Sequence, residues 1–253
     1  EESEYIWMKD YLQLDGLVYK LVPIKTSIDA NPYEMGRIDS DLMYNIVKKW
    51  SWGNSESDKI YHDPETRKNS ISFRSNLSRL SEVLISEGKF KEAEEIIDLA
   101  FSKMPIDYYG YYSLWTPFIQ GYYRIGRDDK AKEIFKKISF KYIDKLNYYS
   151  SLEIYNQYDV GEEIIADIER FRNLIETAQN SGEKEILSDQ IKSFIASSEK
   201  FNYIYGEYDY YISLSGFIIK LLELNEIEYS RVIIDKIEEQ LIRRVSVFSN
   251  IDE

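Results

Sequence analysis

Residues 76–105 read NLSRLSEVLISEGKFKEAEEIIDLAFSKMP, and their spacing decides the fold. Leu77, Leu80, Ser81 and Leu84 recur in steps of three and four, which places them on one stripe of a helix. Gly88 follows, and a glycine can take the left-handed conformation that closes such a helix. A second stripe opens with Ala93 and runs through Ile97 and Ala100 to Pro105, which cannot extend a helix. Ala93 is small enough to let two antiparallel helices approach closely. The stretch is predicted to be a helical hairpin turning at Gly88.

The same order of residues returns 38 positions on, with Trp115, Phe118, Ile119 and Tyr122 before Gly126, then Ala131 and Phe135. A tyrosine-rich insert, DYYGYY at 107–112, lengthens that step. Pro117 is tolerated in the first helical turn, where its missing N–H would be unpaired anyway. The helix after Gly126 is expected to run on through Phe140 and Tyr142 towards Tyr155. Two amphipathic helices divided by Asn180-Ser181-Gly182 follow. Ile164, Ile168, Phe171, Ile175 and Ala178 line the first, and Leu187, Ile191, Phe194, Ser198 and Phe201 the second. A final hairpin over 211–245 keeps part of the pattern through Leu214, Phe217, Leu221, Asn225, Ser230, Ile234 and Ile237. Hairpins of this kind cannot bury their apolar faces alone, so they must share a core. The predicted fold class is mainly α, built of stacked helical hairpins, with a small extended or β-hairpin segment at the N-terminus.

That segment is residues 11–23 (YLQLDGLVYKLVP), where branched and aromatic residues flank Asp15-Gly16, a dipeptide suited to a tight turn. Asp39 can cap a short helix with Leu42, Ile46, Val47 and Trp50 on one face. Residues 51–70 (SWGNSESDKIYHDPETRKNS) have loop composition and are expected to wrap the first hairpin. The expected organisation is an N-terminal segment over 1–72 packed on a helical array over 73–245, with a tail over 246–253.

The chain has 253 residues, 43% of them hydrophobic, enough for a continuous core. Its net charge of -13 opposes binding to nucleic acid or to an anionic membrane surface. With no cysteine it holds no disulfide and no thiolate site. No apolar run approaches the roughly 18 residues of a membrane span, and the acidic start EESEYIWMKDYLQ does not read as a signal peptide. Since it opens on Glu1 rather than Met, the chain is expected to be part of something longer.

Catalytic chemistry is hard to assemble from these residues. The single histidine, His62, sits in a loop beside Asp63-Pro64 and is expected to be solvated or capping. There is no metal-ligand spacing and no phosphate-binding glycine loop. Glu94-Glu95 and Glu162-Glu163 are helical neighbours that diverge by about 100°, which suits solvated faces better than an acid and base pair. The expectation is a non-enzyme that needs no cofactor and no metal. The 23 Tyr, 11 Phe and 4 Trp are mostly expected in packing between helices. Two clusters, at 108–112 and 203–211, offer aromatic faces that could stack on sugars or grip an extended peptide, and a carbohydrate-binding module is the alternative function.

Residues 74–138, and more weakly 211–242, resemble tetratricopeptide repeats of about 34 residues. That resemblance implies a scaffold whose ligand, a protein or peptide, meets the first helix of each hairpin at positions turned away from the core. Carried onto this chain they are Ser78, Glu82 and Ile85, then Thr116, Gln120, Tyr123 and Arg124. In the last hairpin Ser230 stands where the repeat has alanine.

The segments LQLDGLVYKLVPIK (12–25), GRIDSDLMY (36–44), WSWG (50–53) and FRSNLSRL (73–80) carry a second resemblance. They look like the soluble C-terminal region of a bacterial family of polytopic membrane proteins, considered glycosyltransferases related to protein O-mannosyltransferases. The resemblance implies that sugar transfer belongs to a membrane-spanning N-terminal part lying outside this chain, through which the chain is tethered. It further implies a place on the periplasmic face of a bacterial inner membrane, with the cytoplasm as the alternative, and a role in holding an acceptor protein or an assembly partner.

Overall fold

The computed structural model describes residues 6–26, 35–180, 184–201, 218–219, 221–223, 225 and 227–249. Helix dominates, and among the described residues the only sheet is one two-stranded antiparallel hairpin near the N-terminus. The chain divides into two compact units, Glu1–Lys132 and Glu133–Glu253.

In the first unit, β1 (Leu12–Asp15) pairs with β2 (Val18–Leu21), and Asp15 stands opposite Val18. The turn is therefore Gly16-Leu17, one residue beyond the Asp15-Gly16 expected, and Gly16 supplies the positive φ of 71° it requires. β1 is buried and bonded on both sides, because Arg37 accepts from Leu14 N and donates to Leu12 O, each at 2.9 Å. β2 is exposed throughout.

Helix α1 (Ser40–Val47) starts where expected, with Asp39 accepting from Leu42 N at 3.1 Å. Its inward stripe is Met43 and Val47, four apart, whereas Leu42 lies a third of a turn away and is 39% exposed.

Helix α2 (Pro64–Ser86) is longer at its start than the composition suggested, so 64–70 is helix rather than loop. Asp63 caps it, accepting from Thr66 N at 2.9 Å, and Pro64 occupies the first turn. Helix α3 (Phe90–Lys103), short α4 (Ile106–Tyr109) and α5 (Thr116–Arg124) complete this unit together with the first turn of α6 (Asp128–Ser151). The turns after α2 and α5 repeat bond for bond. Gly88 N donates to Ile85 O and Lys89 N to Leu84 O; Gly126 N donates to Tyr123 O and Arg127 N to Tyr122 O. Both glycines are left-handed, with φ of 75° and 72°. Each pair of bonds satisfies carbonyls that a helix end leaves open.

The core between these helices follows the sequence register. Leu77, Leu80, Ala93, Ile97, Ala100, Trp115, Phe118, Ile119 and Ala131 are wholly buried, and Leu84 and Tyr122 nearly so. Each full-sized apolar side chain buried this way contributes about 1.5–3 kcal/mol. Gly121 sets the distance of α5 from its neighbours: a Cβ there would lie 2.9 Å from Ile97 Cδ1 and 3.5 Å from Ile85 Cδ1.

The second unit carries α6 to its end at Ser151, then α7 (Ile154–Asp159), α8 (Gly161–Asn180), α9 (Lys184–Ser198) and α10 (Ile227–Ser249). Ile164, Ile168, Phe171 and Ile175 line α8 inward, and Ile191, Phe194 and Ser198 line α9, with Phe201 beyond it. Phe171 meets Tyr142 and Phe194, both at 5.7 Å between ring centres. In α10 the inward residues are Ser230 and Ile233, while Ile234 is 44% exposed, contrary to the stripe drawn through it. Asn225 takes a left-handed turn conformation. Helix α10 continues to Ser249, past the Val245 boundary expected for the tail. Leu214, Phe217, Ser181-Gly182 and the side chains of Ala178 and Leu187 lie outside the described residues, as does the tyrosine cluster at 203–211.

Candidate functional site

The positions assigned to partner binding come to lie on two helices that pack against each other, α2 and α5. Ser78 and Glu82 are a turn apart on α2, and Thr116 and Gln120 a turn apart on α5. The two pairs are related by the same 38-residue step as the turns. Glu82 and Gln120 are exposed, and Ser78 and Thr116 are half-buried. Glu82 Oε1 lies 3.7 Å from Arg124 Nη1, so an ion pair joins the outer faces of the two helices. Both of its partners are open to solvent, so the pair adds little stability.

Ile85 does not belong to this surface. It is 7% exposed, and its methyl end lies near the spot that a Gly121 side chain would occupy. Its counterpart on α5 at the 38-residue step is Tyr123, and that residue is half-buried rather than open. Arg124 is exposed. The open face therefore consists of Glu82, Gln120 and Arg124, with Ser78, Thr116 and part of Tyr123 beside them.

The outer face of α3 is tied up in ion pairs. Glu95 accepts from Lys48 Nζ at 2.8 Å and from Tyr44 OH, which holds α1. Glu94 accepts from Arg127 and Lys130, each at 2.9 Å, and so holds the start of α6. The two neighbouring carboxylates thus diverge as helix geometry requires, and each, still reached by solvent, also bridges two elements. The Lys130 hydrogen bond is the largest influence lowering Glu94, and the Lys48 bond does the same for Glu95. Burial opposes both shifts.

His62 is half-buried, with Nε2 3.3 Å from Ser57 O and its ring stacked on Tyr108 at 5.5 Å. In the neighbouring tyrosine cluster, Tyr109 is buried and donates to Ser55 O at 3.1 Å, while Tyr111 is 48% exposed. Among the described residues no group of His, Cys, Asp and Glu could hold a metal ion. No helix among them is long and apolar enough to cross a membrane.

Sequence reasoning missed two residues that shape this region. Arg74 is completely buried although charged, and Gly121 makes the closest approach of α5 to its neighbours. Gly121 could have been noticed as a glycine inside an otherwise regular helical stripe, a position that usually has a packing reason. Arg74 left no such signal.

Residues 1–42 match a family model described as TMEM260-associated domain 2. The match takes in the hairpin and the start of α1, hence LQLDGLVYKLVPIK and most of GRIDSDLMY; it does not reach WSWG or the helices beyond. No curated protein and no solved structure matches the chain.

Proposed function

We propose that this chain is a non-catalytic scaffold that binds a protein or peptide on the outer face of α2 and α5, in the manner of tetratricopeptide repeats. The observation that carries the reading is the bond-for-bond repetition of the Gly88 and Gly126 turns, with Ala93 and Ala131 buried at equivalent places. Repeated hairpins set two first helices side by side, and their open faces form one continuous surface. Its mixed polarity, with Glu82, Gln120 and Arg124 beside a partly covered tyrosine ring, suits a polypeptide better than a lipid or a nucleic acid.

The likeness of residues 1–42 to TMEM260-associated domain 2 supports a second part of the reading. The scaffold would be the extramembrane portion of a membrane glycosyltransferase-like protein, on the periplasmic side of a bacterial inner membrane, where it holds an acceptor or an assembly partner near the catalytic part.

A photo-crosslinking residue at Gln120 of the full-length protein, expressed in its own cells, tests the surface. Capture of a discrete partner from position 120 and not from exposed Lys136 is expected. Equal capture from both positions, or none from 120, would overturn the assignment. The membrane side is read separately. This chain has no cysteine, so Gln120→Cys, made with any cysteine elsewhere in the full-length protein replaced, can be probed with a membrane-impermeant maleimide, and labelling only after the inner membrane is opened would place it in the cytoplasm.

A further inference from the structure

An open groove of about 980 Å³ runs between the segment following α1 and the outer face of α3, and it shares no residue with the α2/α5 face. Trp50 and Trp52 form one wall, their rings 5.5 Å apart in an edge arrangement. Phe73 supports both, at 5.4 Å and 5.7 Å. On another side Trp50 abuts Gly16, where a Cβ would lie 3.0 Å from the indole. Both indoles nevertheless stay partly exposed.

The segment carrying them is fixed before any ligand arrives. Gly53 and Asn54 both have positive φ, 56° and 61°, and Ser55 N donates to Trp52 O at 3.0 Å, which makes a tight turn directly after Trp52. Ser55 Oγ donates to Lys103 O at 2.7 Å, anchoring the turn to the end of α3.

The facing wall is polar but already compensated. Glu95 is bonded to Lys48 and Tyr44, and Asp98 to Lys130 at 2.8 Å and Tyr122 at 2.6 Å. Lys103 is bonded to Glu56 at 2.5 Å. An anionic ligand would meet the carboxylates. A free cation would find their charge already balanced, while each carboxylate keeps lone pairs for a hydroxyl. What suits such a wall is a neutral ligand rich in hydroxyls, each able to accept from an ammonium and donate to a carboxylate, with an apolar C–H face for an indole.

We propose that the Trp50–Trp52 groove is a binding subsite for a neutral saccharide, with Trp52 as the stacking platform and Glu95 and Asp98 as hydroxyl acceptors. None of the residues at 108–112 lines this groove.

The test titrates the folded chain with unsubstituted gluco-, manno- and galacto-oligosaccharides, read by tryptophan fluorescence and by saturation-transfer NMR. A sulfated oligosaccharide is the charged counterpart. At least one neutral member should bind saturably, and the sulfated one more weakly. Trp52→Ala should weaken binding by about tenfold. Because Trp52 rests on Phe73 and its loss also removes that packing, Ser102→Trp is the second variant. It places an indole in the groove from an exposed helical position and should abolish binding with the melting temperature unchanged. Lys136→Ala, at an exposed position on α6 that belongs to neither proposed site, should leave sugar affinity within about twofold. Absence of saturation with every neutral sugar, parental affinity in Ser102→Trp, or equal affinity for the sulfated probe would each overturn the proposal.

Discussion

Arg74 Nη1 donates to the carbonyl oxygen of Gly110 at 2.7 Å, which joins the middle of α2 to the connection between the two repeated hairpins. The guanidinium also reaches Ser70 Oγ at 2.7 Å and lies over the Trp115 ring at 5.2 Å. The side chain is fully buried, and burial pushes its pKa down to about 10, so it remains charged at neutral pH. A buried charge costs several kcal/mol unless its hydrogen bonds are made. Here carbonyl oxygens and a hydroxyl make them, and two aromatic faces add cation–π contacts. The connection they hold includes Tyr111, a non-glycine residue with a φ of 46°. Arg74→Ala should therefore destabilise the first unit by about 3 kcal/mol. Arg74→Lys should recover only part of that, because an ammonium cannot reproduce the planar fork. Urea melts of the three proteins check this, and a fully stable Arg74→Lys would show that charge alone suffices.

Two glycines separate conformational from steric cost. Gly88 has open space around its absent Cβ, so Gly88→Ala loses only the freedom to sit at a φ of 75° and should cost about 1–2 kcal/mol. Gly88→Asn should cost less, since asparagine tolerates that region. Gly121 has an ordinary helical backbone but no room. Gly121→Val should cost about 1–3 kcal/mol through overpacking against Ile97 and Ile85. Ala93→Leu should behave like the second case, given that Ala93 has no exposed surface. Thermal melts of single variants decide the matter.

These contrasts also show what the sequence carried. Leu77 through Ala131 could be placed inward because steps of three and four, interrupted by a glycine and answered by an alanine, admit one helical solution. The start of α2 was less plain: its first two turns, PETRKNS, are polar enough to look like loop. Asp63-Pro64 with Thr66 was nonetheless a readable cap. Arg74 and Ile85 were not readable at all, since charge argues for the surface and an apolar residue off the stripe argues for a groove. Only the arrival of Gly110 and Gly121, distant in sequence, reverses both expectations. Trp50 and Trp52 were visible as a motif, but the wall they face comes from α3.

Acid should loosen the first unit through its bridging carboxylates. Glu87, Glu94 and Glu95 all titrate below the ordinary 4.5, lowered chiefly by hydrogen bonds from Lys89, Lys130 and Lys48 respectively. A depressed carboxylate binds fewer protons in the folded state than in the unfolded one, so its contribution is present above pH 4.5 and is lost as pH falls through the folded value. Melting temperature should drop on going from pH 5 towards pH 3, and Lys130→Met should flatten that drop. A slope unchanged in Lys130→Met would mean that these bridges are not what titrates.

The second unit carries an alkaline counterpart. Asp167, nearly buried, lies 2.6 Å from Lys145 Nζ and 2.9 Å from Arg170 Nη1. Burial alone would lower the Lys145 pKa, but the hydrogen bond to Asp167 and its charge together raise it above 10.5. A raised ammonium contributes stability that is complete below 10.5 and is lost as pH climbs through the folded value. Asp167→Asn should remove that alkaline dependence and cost about 1–3 kcal/mol at neutral pH. The loss stays in that range because Lys145 and Arg170 keep access to water, with side chains 41% and 49% exposed.

The ion pair between Glu82 and Arg124 offers the sharpest test of the proposed binding face. At 3.7 Å and with both partners solvated, it should contribute less than about 1 kcal/mol to folding, so the charge swap Glu82→Arg with Arg124→Glu should leave the melting temperature nearly unchanged. A bound polypeptide would feel the same change directly, because a planar cation beside a tyrosine ring is the pairing that most often dominates an interface. Arg124→Ala should weaken partner binding by about 1–3 kcal/mol, while Glu82→Ala should act mainly on the association rate and its salt dependence. Tyr123→Ala divides its effect. Tyr123 is already largely covered within the protein, so a loss of stability should accompany any loss of affinity. The measurement is binding of the crosslinked partner to each folded variant, by surface plasmon resonance at two salt concentrations. If the charge-swapped protein binds as the parent does, the α2/α5 face is not the docking surface.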